Sequence, residues 1–238
     1  MLLEVDNINT FRGPAHILRG VSLNVGDNEV VSLVGRNGAG RTTIIESITG
    51  LLPIRSGTIK FRGEEIGSLP PHKRAKYGIG YAPENSGIFP DLTVAENLMI
   101  SRWLSNKTVR GATQHVDAQE QALTVFPEVR KFLDRQGLNL SGGQKKMVSI
   151  ARAMALAPSL MILDEAFEGL APVVVKRFRE AVMMIKGMGI SLLLADSNLT
   201  SASAIADRIY VIDRGEIIFQ GTPKDALANE EVMRALRG

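Results

Sequence analysis

Short apolar bursts separated by turn residues dominate the start of the chain. Leu2–Val5, Val21–Val25 and Val30–Val34 are such bursts, punctuated by Gly, Asn and Asp, and they predict strands joined by turns. The stretch Thr42 to Leu52 has helical apolar spacing, and Gly57–Arg62 predicts another strand closed by a turn at Gly63. From about residue 92 to 155 the character changes. Thr93–Ser101 and Gln114–Phe126 carry helical spacing with few β-branched runs, which predicts a mainly helical lobe. After Pro158 strands and helices alternate: strands at Leu160–Leu163 and Ser191–Ala195, helices near Val173–Met188 and Leu199–Ala206, then a strand pair at Ile209–Ile212 and Glu216–Gln220. Thr222 to Arg237 reads as one short amphipathic helix. Strand–helix alternation of this kind implies an α/β fold with a largely parallel sheet and helices on both faces.

Composition narrows the setting. A chain of 238 residues buries a sizeable core without covalent staples, and it contains no cysteine, which excludes disulfides and thiolate metal sites. The 28 basic and 25 acidic residues leave a formal charge of only +3, too small an excess to point to nucleic acid as a partner. No stretch reaches the roughly 18 apolar residues that span a bilayer. Glu4 and Asp6 stand where a secretion signal carries lysine or arginine. A soluble, cytoplasmic chain is expected, with any membrane role reached through partners.

Two stretches carry phosphate chemistry. Val30–Val34 runs into Gly35-Arg36-Asn37-Gly38-Ala39-Gly40-Arg41-Thr42-Thr43, with a predicted strand before it and a helix after it. This is the spacing and context of a P-loop. Glycines let backbone N–H groups converge on phosphate oxygens, and the helix start adds a favourable dipole. Thr42 is the expected Mg²⁺ ligand. Leu160–Leu163 ends in Asp164-Glu165, the pattern in which Asp164 holds Mg²⁺ and Glu165 polarises the attacking water. Phosphate oxygens and Mg²⁺ are therefore the expected ligands. The histidines His16, His72 and His115 have no metal-ligand companion at helical spacing and are expected on surfaces or loops.

Leu140-Ser141-Gly142-Gly143-Gln144, opening a helix between these two elements, resembles the signature of the ABC ATPases. The resemblance covers essentially the whole chain. It is strongest to the LivF-type ATPases of branched-chain amino-acid transporters, through Ile17–Leu23, Gly78–Glu84, Ile88–Leu98, Gly169–Pro172 and the tail from Asn229. It implies a single domain over 1–238: a P-loop NTPase core, an N-terminal antiparallel β subdomain and a helical subdomain inserted at about 85–158. It implies a head-to-tail pair of ATPase subunits in which Ser141, Gly142, Gly143 and Gln144 meet ATP bound to the partner. Two transmembrane permeases and, indirectly, an external substrate-binding protein complete the assembly at the inner face of the cell membrane. Relatives that act on DNA or ribosomes usually carry duplicated cassettes or insertions, which this chain does not show.

Measured against that resemblance, several positions depart. Arg41 replaces the usual lysine, and Glu84 stands at the Q-loop glutamine, where it would touch Mg²⁺ or the attacking water. Ser197 stands at the switch histidine, and Ala166 replaces the proline after the acidic pair. Phe11 and Arg12 compete for the place of the adenine-stacking aromatic; a ring face or a guanidinium plane serves. The departures gather on the chain's own phosphate site while the signature is intact. The expectation is an ATPase whose own site turns over slowly, or, as the alternative, a nucleotide-binding clamp supporting hydrolysis at a partner.

Overall fold

The computed structural model describes residues 1–108 and 117–237. Its first layer is a four-stranded antiparallel sheet of β1 (Leu3–Arg12), β2 (Ala15–Val25), β4 (Ile54–Phe61) and β5 (Glu64–Glu65), in the order β2-β1-β4-β5. Between β2 and β4 the chain builds β3 (Val30–Val34) and α1 (Arg41–Thr49). It then forms α2 (Pro71–Lys76), β6 (Ile79–Ala82), α3 (Val94–Thr108), α4 (Ala118–Val125) and α5 (Gly142–Met154). The remainder is β7 (Leu160–Asp164), α6 (Pro172–Gly187), β8 (Ser191–Asp196), α7 (Leu199–Ser203), β9 (Arg208–Asp213), β10 (Glu216–Gly221), α8 (Pro223–Ala228) and α9 (Glu230–Arg237).

The second sheet has the order β10-β9-β3-β8-β7-β6, parallel except for the β9–β10 hairpin. Strands β3, β7 and β8 are buried along their whole length, as near-continuous apolar runs in a parallel sheet require. Their side chains alternate between two cores. Met161, Leu163, Leu192 and Leu194 face the helices, packed with α4, α5 and α6. Leu160, Ile162, Leu193 and Ala195 face the opposite core, where Ile44, Ile45 and Ile48 of α1 fill the space toward the antiparallel sheet. Because β3, β8 and β7 are adjacent and parallel, their carboxyl ends lie along one edge, where α/β sheets bind ligands.

Three expectations change. The first two strands are much longer than their apolar bursts, because polar residues continue the pairing: Asn9 Oδ1 accepts from Gly20 N at 3.1 Å, and Asn7 N donates to Ser22 Oγ at 2.9 Å. The tail is two helices, since Asn229 adopts extended backbone and its side chain caps α9 by accepting from Val232 N at 3.0 Å. The glycine-rich stretch Ile79–Ala82 forms an edge strand that its composition conceals. The predicted helix from Gln114 lies partly outside the described residues, as does His115; its described part begins after Asp117, which caps α4. His16 is a half-buried strand residue rather than a loop one, and His72 is exposed on α2. Among the described residues no helix is long and apolar enough to cross a membrane.

Candidate nucleotide site

The phosphate loop hangs from the end of β3. Gly38 and Gly40 have φ of 81° and 114°, which only glycine adopts without strain. Gly35 is fixed by crowding: a Cβ there would lie 2.6 Å from the Ile212 carbonyl oxygen. Gly40 leads into α1 with no side-chain cap and no acid in the first turn, so the first N–H groups of the helix stay open to an anion. Ala39 is buried and holds the loop to the β9–β10 turn through its carbonyl, which accepts from Gly215 N at 2.9 Å.

An open cleft of about 440 Å³ lies over the loop. Its walls include Arg12, Ile17, Arg36, Asn37, Gly38, Gly40, Arg41, Thr42, Thr43, Glu84, Glu165 and Glu168. That volume suits a nucleotide-sized ligand. Arg41, the residue in place of lysine, folds into the loop and is only 4% exposed. Its Nη1 donates to the Gly35 carbonyl, and its Nη2 donates to Asn37 Oδ1 at 3.1 Å and to Glu165 Oε1 at 2.5 Å. The guanidinium is thus spent on protein acceptors.

At the end of β7, Asp164 is almost fully buried, and neither carboxylate oxygen has a hydrogen-bond partner among the described residues. Burial pushes its carboxyl up to about 6; the Thr42 hydroxyl lies close enough to oppose this but falls short of a geometric hydrogen bond. A buried, unpartnered carboxylate beside a threonine hydroxyl fits a hard divalent cation. No cluster of three potential metal-ligating side chains occurs among the described residues. Magnesium takes one or two protein ligands and completes its shell with phosphate and water. Glu165 sits next in the chain with φ 49°. Burial and then Glu168 raise its carboxyl, while the Arg41 charge works the other way.

The remaining sequence candidates divide. Arg12 faces the cleft and pairs with Glu46, its Nε donating to Thr43 Oγ1 at 3.3 Å. Phe11 instead stacks on the His16 ring at 4.3 Å and lies outside the cleft wall. Ser197 is exposed just past β8 and also stands outside the wall. Ser141 caps α5 in a reciprocal box, its Oγ accepting from Gln144 N at 3.3 Å and Gln144 Oε1 accepting from Ser141 N at 2.9 Å. With Gly142 and Gly143 these residues open an exposed to half-exposed helix end, and none of the four lines the cleft. Three residues near the site escaped the sequence reading. Ile17 and Glu168 line the cleft, and Lys146 donates to the carbonyls of Glu165 and Glu168. Of these only Lys146 had a sequence signal, a second charge within the signature helix.

Comparison with known proteins agrees with this geometry. The profile of the ABC transporter family matches residues 18–168. The chain is 35% identical over 237 residues to the lipopolysaccharide export system ATP-binding protein LptB of Haemophilus influenzae, covering 100% of this chain and 97% of that one. It is 33% identical over 238 residues to the probable branched-chain amino acid transport ATP-binding protein LivF of Archaeoglobus fulgidus, covering 100% and 99%. The ADP conformation of MJ1267, an ATP-binding cassette of an ABC transporter, superimposes with a TM-score of 0.85 at 28% identity, covering 100% and 98%. A phosphate loop, an acidic pair at the end of the neighbouring strand and a capped signature helix, on a fold shared over its full length, make this chain an ATP-binding, ATP-hydrolysing member of the ABC transporter family.

Proposed function

We propose that this chain is the ATPase subunit of an importer for branched-chain or other hydrophobic amino acids or related small molecules. It works as half of a head-to-tail ATPase pair beneath two membrane permeases. The observation that carries the ATPase part of the proposal is the convergence of Arg41, Thr42 and Glu165 on one cleft at the sheet edge, beside the buried Asp164. Full-length similarity to LivF supports import; the equal similarity to LptB concerns export, so the substrate rests on the uptake experiment below.

The residues take these roles. N–H groups from Gly35 to Thr43 cradle the phosphates, and Arg12 with Ile17 faces the adenine end. Thr42 and Asp164, with Glu84 nearby, would hold a magnesium ion, which when bound neutralises phosphate charge. A water oxygen attacks the γ-phosphorus, the bond to the β-phosphate oxygen breaks, and ADP and phosphate leave. Glu165 orients that water and takes its proton, a role its raised carboxyl suits. Ser197, at the position the resemblance gives to the switch residue, follows Asp196 at the end of β8 and stands outside the cleft wall. Ser141 to Gln144 complete the partner's site, where the start of α5 faces the γ-phosphate.

One observation favours a second reading, in which this chain mainly binds ATP while its partner does the chemistry. Arg41 holds the Glu165 carboxylate, and a fork-shaped guanidinium does not replace a compact ammonium between phosphates. Turnover of the assembled transporter after Glu165→Gln, compared with the equivalent change in the partner, decides between them. Equal losses support two working sites; a small loss here supports the clamp. Uptake of labelled leucine tests the import reading. Uptake that is unchanged in cells lacking this chain rejects it.

A further inference from the structure

Glu165 is held at both ends, and the two grips come from different parts of the chain. Arg41 takes the carboxylate. The main chain is held by Lys146, whose Nζ donates to the carbonyl of Glu165 and to the carbonyl of Glu168 at 3.2 Å. The Glu165 carbonyl also accepts from Glu168 N at 3.3 Å, closing a turn directly after β7. Within that turn Glu165 has φ 49°, a left-handed conformation that a non-glycine residue keeps only when its surroundings impose it. The residue that follows does not impose it. Ala166 leaves the backbone of Glu165 unrestricted, whereas a proline there would confine it to extended conformations. Glu165 N donates to the Ala195 carbonyl at 3.0 Å, and Lys146 adds a grip on the carbonyl side of the same residue.

The origin of Lys146 gives the contact its meaning. It lies on α5, two residues beyond Gln144 of the capping pair that opens the signature helix. Its ammonium is half-buried and stands among Glu165, Glu168, Glu84 and Asp164, so it is both a donor and the local counter-charge. A shift of α5 is thereby passed to the backbone that carries the Glu165 side chain.

We infer that Lys146 is a positioning residue that fixes Glu165 for hydrolysis and couples the signature helix to the chain's own phosphate site. The inference rests on the reading of Glu165 as the residue that orients water. Removing the donor in Lys146→Met leaves the phosphate loop untouched. Lys146→Gln retains a long side chain with a terminal donor but no charge.

The test uses the full-length chain. Binding of a fluorescent ATP analogue is expected to be unchanged in both variants. Single-turnover hydrolysis is expected to fall about tenfold to a hundredfold in Lys146→Met, the range for a slightly misplaced catalytic group, and to recover in part in Lys146→Gln. Amide hydrogen exchange gives a reading that does not need activity: protection at Glu168, whose N–H closes the turn, is expected to fall in Lys146→Met while that of Glu165, bonded to the Ala195 carbonyl, and of β7 stays. Unchanged exchange at the Glu168 amide overturns the inference. So does unchanged turnover in Lys146→Met when Glu165→Gln abolishes it. If Glu165→Gln leaves turnover intact, the reading of Glu165 fails, and the exchange result still decides whether Lys146 holds this turn.

Discussion

Arg41 Nη2 lies 2.5 Å from Glu165 Oε1, and the two side chains are 4% and 10% exposed. A buried pair of this kind is maintained because either charge alone would be stranded out of water. Here the two charges are also the two that the proposed mechanism places at the phosphate. Before ATP enters, each satisfies the other. On the proposed roles of the two residues, an arriving triphosphate is expected to compete with Glu165 for Arg41.

Shortening the cation should shift that balance. Arg41→Lys keeps the charge but loses the fork that spans Gly35, Asn37 and Glu165. Steady-state hydrolysis should rise about tenfold, equivalent to roughly 1.4 kcal/mol of barrier. Arg41→Ala, which strands Glu165, should lower stability by about 3 kcal/mol in denaturant unfolding. A lysine variant no faster than the parent would mean that the pair is not what limits turnover.

Much of this site was legible beforehand, for a physical reason. Strands buried on both faces must be continuous apolar runs, so Val30–Val34 and Leu160–Leu163 announced themselves, and the residues after them fell at one sheet edge. The glycines of the loop and the capping pair Ser141 and Gln144 are likewise local signals. Arg41 and Glu165 were visible as residues, but not as partners. Their contact joins positions 124 apart and depends on how a long side chain turns, which no local pattern encodes. The same holds for Lys146 and for Phe11, whose ring goes to His16. The split of the tail at Asn229 was encoded, since asparagine three residues before the first apolar position of α9 is a helix-start signal.

Asp164 should trade stability for function. Its carboxylate is buried with both oxygens unpartnered, and an uncompensated buried polar group costs about 1–3 kcal/mol. Asp164→Asn removes the charge at nearly constant shape. Without nucleotide and magnesium, the variant should be more stable than the parent by about 1–2 kcal/mol at neutral pH. Magnesium with ADP should raise the melting temperature of the parent and have much less effect on the variant, whose hydrolysis should be lost. Thermal denaturation with and without the metal, followed by re-chelation, checks both halves.

Acid stability has an identifiable contributor far from the cleft. Arg208 Nε donates to Glu29 Oε1 at 2.8 Å, and Glu29 Oε2 accepts from Gly26 N at 2.6 Å. Burial alone would raise the Glu29 carboxyl, but these bonds outweigh it and hold it below the ordinary range. A depressed carboxylate stabilises the fold above its unfolded-state value and loses that contribution as pH falls through its folded-state value. Glu29→Gln should therefore lower stability by about 1 kcal/mol at pH 7, the figure for a partly exposed pair. The difference from the parent should close once the pH is well below 4.5. Urea unfolding at pH 7 and at low pH measures the gap directly.

Phe11 and Arg12 are neighbours in sequence on opposite faces of β1, so the structure turns an open choice into a measurable one. Arg12 is braced against α1 by Glu46 and Thr43 and forms a wall of the cleft, with Ile17 beside it. A guanidinium held flat in this way presents its plane to a base at little further loss of freedom. Phe11 is already stacked, its ring 4.3 Å from that of His16 and nearly parallel to it. Arg12→Ala should weaken binding of an ATP analogue by about fivefold, near 1 kcal/mol for an exposed cation–π contact. Phe11→Ala should leave binding within about twofold and lower stability modestly through loss of the ring pair. Glu46→Gln, which releases the brace without touching the base, should give an intermediate loss. If Phe11→Ala weakens binding and Arg12→Ala does not, the adenine lies on the other face of the strand.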